Sequence, residues 1–141
     1  MEKVRPKIGV NVFVIRDNKL LLGKRKKVAG DGFWGLPGGH LEMMESMVDG
    51  AKRELKEETG LTADKLIFLN LINDPLPSEG THYVHINFLA EGVHGEPQNM
   101  EPEKCYELKW FDLSNLPTQE ELFAGHKKII PAFLNKTIFV D

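Results

Sequence analysis

The run "GGHLEMMESMVDGAKRELKEETGL", Gly38 to Leu61, constrains the chain more than any other stretch. Its last third sets Glu54, Glu57 and Glu58 within five residues. Ser46 with Asp49 three residues on fits a capping box, and Gly60 fits the residue just past a helix end, so the spacing predicts a helix between them. At about 100° per residue, Met47, Val48, Ala51 and Leu55 share one stripe, the expected buried face. Glu54 falls about 20° outside that stripe, Glu58 falls inside it, and Glu57 lies about 60° from Glu54 on the outer side. Glu, Lys and Arg at this spacing ordinarily form a solvated face. Two carboxylates turned toward the protein body argue against that here. Burying them is costly without a cation, and clustered like charges repel. A fold that accepts both costs points to a site.

Hard divalent cations such as Mg²⁺ take oxygen ligands, and carboxylates three and four residues apart on a helix can converge on them. With one cysteine in the chain there is no thiolate cage for zinc. An acidic cluster would repel a phosphate unless a metal ion sat between them. Carboxylates, a divalent ion and a polyphosphate together form the recurring arrangement for phosphoryl transfer.

The rest of the chain frames this helix. Residues 8–16 and 19–25 read as a β-hairpin about Asp17-Asn18. "VAGDGFWGLPGGH" reads as a loop with tight turns. Residues 66–72 are a strand candidate, "INDPLPSEGTH" a loop, and "HYVHINFLAEGV" and "YELKWFDL" two further strands. "GEPQNMEPEK" is a polar loop. "TQEELFAGHKKIIPAFLN" is helical in character, with Pro131 near its end. Strands on both sides of one helix, then a late helix, predict a single mixed α/β domain over residues 1–141. The formal charge of -3 supplies no basic field, which argues against gripping a nucleic acid polymer. Cys105 has no internal partner for a disulfide. No apolar run reaches the length of a membrane span, and the first residues lack the pattern of a signal peptide, so the expectation is a cytoplasmic protein.

At the acidic helix the sequence resembles the Nudix hydrolase family, whose signature is G-x5-E-x7-R-E-U-x-E-E-x-G-U with U aliphatic. Gly39, Glu45, Arg53, Glu54, Leu55, Glu57, Glu58, Gly60 and Leu61 fit it without departure. A chance match in a chain of this length is on the order of 10⁻⁸ to 10⁻⁷ at average residue frequencies. "LLGKRK", "WGLPGGHLE", "HYV" and "EPQNMEPEKC" look like the MutT-like branch, and within it most like dihydroneopterin-triphosphate and (d)NTP pyrophosphohydrolases. The resemblance implies an α/β/α sandwich with a mixed β-sheet and a catalytic loop–helix–loop. It also implies that Glu54, Glu57 and Glu58 bind Mg²⁺ or Mn²⁺, with the Gly38 carbonyl as a further ligand. One of these glutamates, with Glu54 the candidate, would help deprotonate the attacking water. Arg53 and Glu45 would form an ion pair that orients the carboxylates, as metal sites require of their supporting residues. A further acid from a later loop is expected at Glu101 or Glu103.

Other residues carry two readings each. Arg25, ending the second strand, is a phosphate contact or an exposed strand-end cation; Lys26 and Lys27 read as the latter. His40 touches the metal site or the substrate phosphate, or is a packed loop histidine. Phe123, Ala124, Gly125 and His126 occupy the place where the resembling branch recognises the base, or else begin a packing helix. Phe33 and Trp34 read as core, and Cys105 as a small buried residue.

The resulting expectation is Mg²⁺-dependent hydrolysis of a nucleoside triphosphate, ordinary or modified, to a monophosphate and pyrophosphate. An alternative is cleavage of ADP-ribose or another nucleoside-diphosphate sugar. Relatives specific for ADP-ribose tend to carry a proline some sixteen residues after the signature, and Pro77 lies sixteen after Leu61. A third reading is a non-catalytic nucleotide-sensing module, which such domains become by losing a signature carboxylate. None is lost here. The resemblance also raises a homodimer.

Overall fold

The computed structural model describes residues 3–141. Among the described residues, nine strands and two α-helices follow in the order β1 (Lys7–Phe13), β2 (Ile15–Arg16), β3 (Lys19–Arg25), β4 (Trp34–Gly35), β5 (Gly38–His40), α1 (Met47–Thr59), β6 (Thr62–Leu76), β7 (Thr81–His94), β8 (Cys105–Asp112), α2 (Ile129–Leu134) and β9 (Phe139–Val140). They form a mixed five-stranded sheet, β5-β1-β7-β6-β9, and a four-stranded sheet in which β2 and β4 pair with one edge of β3 and β8 with the other. In the larger sheet β1 runs parallel to β7 and β6 parallel to β9; the other pairs are antiparallel.

Two apolar clusters lie on opposite sides of this framework, and the period of two along the strands separates them. Val10, Val12 and Val14 join Leu21, Leu55, Leu61 and Ile86 in the cluster under α1. Phe13, Leu20 and Leu22 point the other way, to Leu36, Ile72, Leu122 and Ile129 in the cluster under α2. The layers are therefore helix, sheet, helix: the expected mixed α/β sandwich.

The hairpin turn at Asp17 and Asn18 has φ of 52° and 62°, as a two-residue hairpin turn demands. Its first arm is broken at Val14, so β1 serves the large sheet and β2 the small one. The glycine-rich segment contains two short strands, β4 and β5, rather than loop alone. β6 is longer than residues 66–72 and takes in Asn73, Asp74 and Pro75, whose turn chemistry is overridden by a continuous ladder to β7 that pairs Asp74 with Tyr83. The late segment is two 3₁₀ turns, Gln119–Glu121 and Ala124–His126, followed by the six residues of α2. Pro131 sits in the first turn of α2, where its missing N–H leaves no bond unmade. β9 had no signal of its own: it is two residues held by parallel pairing to Leu71 and Ile72.

α1 begins after Ser46, whose side chain accepts the Asp49 amide at 3.0 Å, and ends at Gly60 with φ of 75°. Its buried face is Gly50, Ala51, Leu55 and Thr59, a stripe displaced toward the C-terminus from the expected one. Met47 and Val48 are exposed because the first turn overhangs the edge of the core. The displacement sharpens the position of Glu58, which adjoins Thr59 at the centre of the packed end. Leu55→Ala is expected to cost roughly 2–5 kcal/mol in urea unfolding, whereas Met47→Ala should stay within about 0.5 kcal/mol; equal losses would contradict this register.

Candidate functional site: an acidic cleft beneath the helix

Arg53 organises the acidic face. Its Nε donates to Glu45 Oε2 at 2.7 Å and its Nη2 to Glu45 Oε1 at 3.0 Å, a bidentate fork. Nη1 donates to Glu54 Oε1 at 2.8 Å and to Glu57 Oε2 at 3.3 Å. Nη2 also reaches the His40 carbonyl at 3.1 Å, which ties β5 to α1. Hydrogen bonding to Arg53, with help from the Glu42 amide, holds the Glu45 carboxyl down at about 2. The same bonds to Glu45, and then to Glu54, raise the Arg53 guanidinium further above its usual range. Glycines make the close approaches possible. A Cβ on Gly39 would stand 2.5 Å from the Glu54 carboxyl, and one on Gly50 would stand 2.7 Å from Glu45 Oε1.

Glu58 faces inward. Its Oε2 accepts the Gly38 amide at 3.0 Å. Burial pushes its carboxyl up to about 8 against that bond, and the neighbouring Glu54 and Glu101 push the same way. Burial likewise raises Glu54, opposed by Arg53. Glu101 arrives because its loop docks on the open end of α1. The amides of Gln98 and Met100 donate to the carbonyls of Thr59 and Glu58 at 2.9 and 3.2 Å, satisfying groups that a helix terminus leaves unpaired.

These acids form one wall of a cleft of about 340 Å³. Gly38, Gly39, His40, Arg25, Tyr83, His85, Phe123 and His126 also line it. A register shift in the β3–β8 ladder between Lys24 and Arg25 turns Arg25 into the cleft. Its Nε is committed to the Ala29 carbonyl at 2.7 Å, and its guanidinium lies 3.9 Å from the centre of the Phe123 ring. Burial lowers the Arg25 pKa, and Glu58 works against that. His40 Nε2 lies 3.0 Å from the Tyr83 hydroxyl. Burial, then Lys7, lowers the His40 pKa. His126 is held neutral chiefly by burial, and its Nδ1 accepts the Leu36 amide at 3.0 Å.

Of the residues singled out in the sequence, Arg25, Gly38, Gly39, His40, Glu54, Glu58, Glu101, Phe123 and His126 line the cleft, and Arg53 and Glu45 sit beside it on the acidic face. Glu57 is half-exposed on the outer side of Arg53 and does not line the cleft. Glu103 is exposed, and Glu101 takes the place in the cleft wall. Gly125 is buried behind Phe123, where an added Cβ would press the ring at 3.1 Å; it leaves room for Phe123 and does not line the cleft. Cys105 is partly exposed on the cleft surface rather than buried. Trp34 packs edge-on against Phe111 in the α2-side core, as expected, while Phe33 is exposed. Pro77 starts a 3₁₀ turn at the tip of the β6–β7 hairpin and lines a separate groove. Asn11, Tyr83, His85 and Leu36 were missed. Their signal was available: Asn11, His85 and Asn87 are polar residues set among valines, isoleucine and phenylalanine in strands buried on both faces.

The oxygen-only donor set of Glu54, Glu58 and Glu101 suits a hard divalent ion. Burial is the main reason the Glu58 carboxyl is raised, and a divalent ion at this set would favour its ionised form. Among the described residues no three His, Cys, Asp or Glu side chains are already gathered as a closed cage. Arg53 draws Glu54 and Glu57 toward itself, which keeps the helix carboxylates apart.

Residues 5–133 match the NUDIX domain. The chain is 36% identical over 129 residues to the oxidized purine nucleoside triphosphate hydrolase of Mus musculus, covering 91% of this chain and 80% of that one. It is 34% identical over 131 residues to the ADP-ribose pyrophosphatase of Methanocaldococcus jannaschii, covering 93% and 75%. The crystal structure of the MutT NUDIX hydrolase from Burkholderia pseudomallei superposes with a TM-score of 0.83 at 31% identity, covering 91% of this chain and 98% of that one. The chain belongs to the NUDIX family and is a MutT-like hydrolase of phosphoric anhydride bonds. Members of this family generally need divalent metal ions.

Two outcomes test the electrostatics. Arg53→Lys keeps the charge and loses the fork, so turnover should fall roughly 10–100-fold, as should Glu45→Gln, with the double variant little worse than either. Independent, additive losses would contradict a single clamp. A carboxyl raised on folding stabilises the protein fully below its unfolded value of 4.5 and loses that contribution as pH rises toward 8. Metal-free protein should therefore melt progressively lower from pH 4.5 to 8, relative to Glu58→Gln, and added Mg²⁺ should narrow the gap.

Proposed function

We propose that the protein hydrolyses a nucleoside triphosphate, ordinary or oxidised, to a nucleoside monophosphate and pyrophosphate, with Mg²⁺ or Mn²⁺ held by Glu54 and Glu58. The observation that carries this reading is that one cleft gathers the carboxylates of Glu54, Glu58 and Glu101, the Arg25 guanidinium and the rings of Tyr83 and Phe123. Polyphosphate and base differ in the groups they call on.

A bound divalent ion would neutralise charge on the phosphates and lower the pKa of a coordinated water. The chain supplies the rest. Glu54 and Glu58 offer carboxylate oxygens to the ion, with Glu101 beside them and the Gly38 carbonyl close by. Arg53 orients Glu54 through the 2.8 Å bond and opposes the rise that burial imposes on its carboxyl. Glu54 is the candidate proton acceptor for the attacking water, being half-buried and hydrogen-bonded on one oxygen only. Arg25, packed on Phe123, meets the phosphates as a guanidinium that has already lost its freedom. Phe123 and Tyr83 supply aromatic surface to the cleft beside it. Glu57 contributes mainly by neutralising the outer side of Arg53.

The oxidised purine nucleotide hydrolase relative supports the triphosphate reading. ADP-ribose is the second reading, and the archaeal pyrophosphatase relative favours it. The proline clue does not, since Pro77 lies on another groove.

A substrate panel decides between them. Ordinary and 8-oxo triphosphates, dihydroneopterin triphosphate, ADP-ribose and a dinucleoside polyphosphate would each be incubated with protein and Mg²⁺, and the products separated. Pyrophosphate and a monophosphate are expected from a triphosphate, and Glu58→Gln should abolish that turnover. AMP and ribose 5-phosphate from ADP-ribose, with triphosphates untouched, would overturn the reading.

A further inference from the structure

His126 is 4% exposed, yet one of its ring nitrogens is left for the cleft. The backbone delivers the residue there. Leu122 bridges to Trp34, the Phe123 amide donates to the Trp34 carbonyl at 2.8 Å, and the His126 amide donates to the Phe123 carbonyl at 2.8 Å. The ring then docks on β4 and the residue after it. Its Nδ1 accepts the Leu36 amide at 3.0 Å, and Gly35 makes room, since a Cβ there would stand 2.9 Å from Nδ1.

That bond decides the chemistry of the ring. A backbone amide can only donate, so Nδ1 carries no proton and the single ring proton is on Nε2. Turning the ring over would leave the Leu36 amide unpaired, and a second proton on Nδ1 would set donor against donor. Among the described residues nothing accepts from Nε2. Nor is this nitrogen sealed in: the enclosed side-chain atoms without a partner belong to Asp74 and His85. His126 lines the cleft, so its Nε2–H is a held donor open to what the cleft receives.

The surroundings say which acceptor suits it. Phe123 meets the ring edge-on with centroids 5.2 Å apart, and His85 does so at 5.9 Å. His85 is itself backed by a buried polar chain. Asn11 Nδ2 lies 3.3 Å from its Nδ1 and donates to Asn87 Oδ1 at 3.0 Å, and Asn87 Nδ2 donates onward to Asn70 Oδ1 at 2.7 Å. A phosphate is better met by the charged fork of Arg25, which lines the same cleft. A neutral N–H among flat rings suits an uncharged acceptor on a flat group. The accepting nitrogens of the five-membered ring occur in ordinary purines alike and select nothing. A carbonyl oxygen does select, because the usual alternative is an amino group, whose N–H would meet the His126 N–H donor to donor.

We propose that His126 is a specificity-determining residue whose Nε2–H donates to a ring carbonyl oxygen of the base, so that the cleft takes oxopurine nucleotides in preference to aminopurine ones. The inference rests on the nucleotide reading of the same cleft. The oxygen has two sources, C6 of guanine or hypoxanthine and C8 of an oxidised purine, and the chemistry that recognises it is the same.

Initial rates for GTP, ITP, ATP and 8-oxo-ATP with Mg²⁺ test this on the full chain. An oxopurine should exceed ATP roughly ten- to a hundredfold in kcat/KM, the span expected when a buried donor goes unpaired. GTP and ITP ahead together place the oxygen at C6; 8-oxo-ATP ahead places it at C8. In His126→Asn the side-chain oxygen can still take the Leu36 amide while the Nε2 donor is gone, so the preference should shrink to within about threefold. A merely structural loss would lower every substrate together and keep the ratio. ATP cleaved as well as the oxopurines, GTP ahead without ITP or 8-oxo-ATP, or a preference that survives His126→Asn would overturn the proposal. If the variant does not fold, long-range proton–nitrogen spectra of wild type decide. His126 should be bare at Nδ1 and protonated at Nε2, and Nε2 should shift with GMP or 8-oxo-AMP but not with AMP. A proton on Nδ1, or an Nε2 indifferent to all three, would overturn it. If no triphosphate is cleaved, the nucleotide reading fails and the base assignment falls with it; the contrary results above, with triphosphates cleaved, strike this inference alone.

Discussion

A single guanidinium holds the acidic face together. Arg53 lies within 4 Å of carboxylates from Glu42, Glu45, Glu54 and Glu57, and it also caps the carbonyl of His40. Without it these acids on adjoining turns would repel, and the edge strand β5 would lose a tie to α1. Because the fork is rigid, satisfying Glu45 with two nitrogens leaves the third aimed at Glu54. The placement of Glu54 against the Gly39 backbone, and so the shape of the cleft wall, follows from that geometry.

Glu58 shows the opposite balance. It has one backbone donor and a buried position, so its ionised form is disfavoured. Arg53 stabilises the outer carboxylates, whereas the inner one has a single backbone donor. This division also explains why Glu57 and Glu58, adjacent in sequence, face different surroundings. One helix presents a clamp on its outer edge and a buried carboxyl on its inner edge. In the same cleft, burial lowers the Arg25 guanidinium and Glu58 works against that.

Much of this was legible in the sequence. The 3.6 period placed Glu58 inward, and Ser46 and Gly60 bounded the helix. The signature residues Glu45 and Arg53 formed the pair that the resemblance implied. What was not legible depended on tertiary pairing. The buried stripe of α1 shifted because the chain before it, not the helix itself, decides where the first turn overhangs. The strand through Asn73, Asp74 and Pro75 exists because β7 is long enough to pair with it. The choice of Glu101 over Glu103 was made by loop amides seeking the free carbonyls of α1. Gly125 looked like room for a base and proved to be room for Phe123. The buried polar chain through Asn11, Asn87 and His85 was visible as polar residues inside apolar strands, but its direction required the side-chain geometry.

The claim on which the rest turns is that the inner carboxylates, not the outer ones, hold the metal against the substrate phosphates. Anomalous diffraction from a crystal containing Mn²⁺ and a non-hydrolysable nucleoside triphosphate tests it directly. The expected result is an ion bound by Glu54 and Glu58, bridging to phosphate oxygens near Arg25. An ion seated instead on Glu57 and Glu42 at the solvent edge, with the phosphates away from Arg25, would contradict the account.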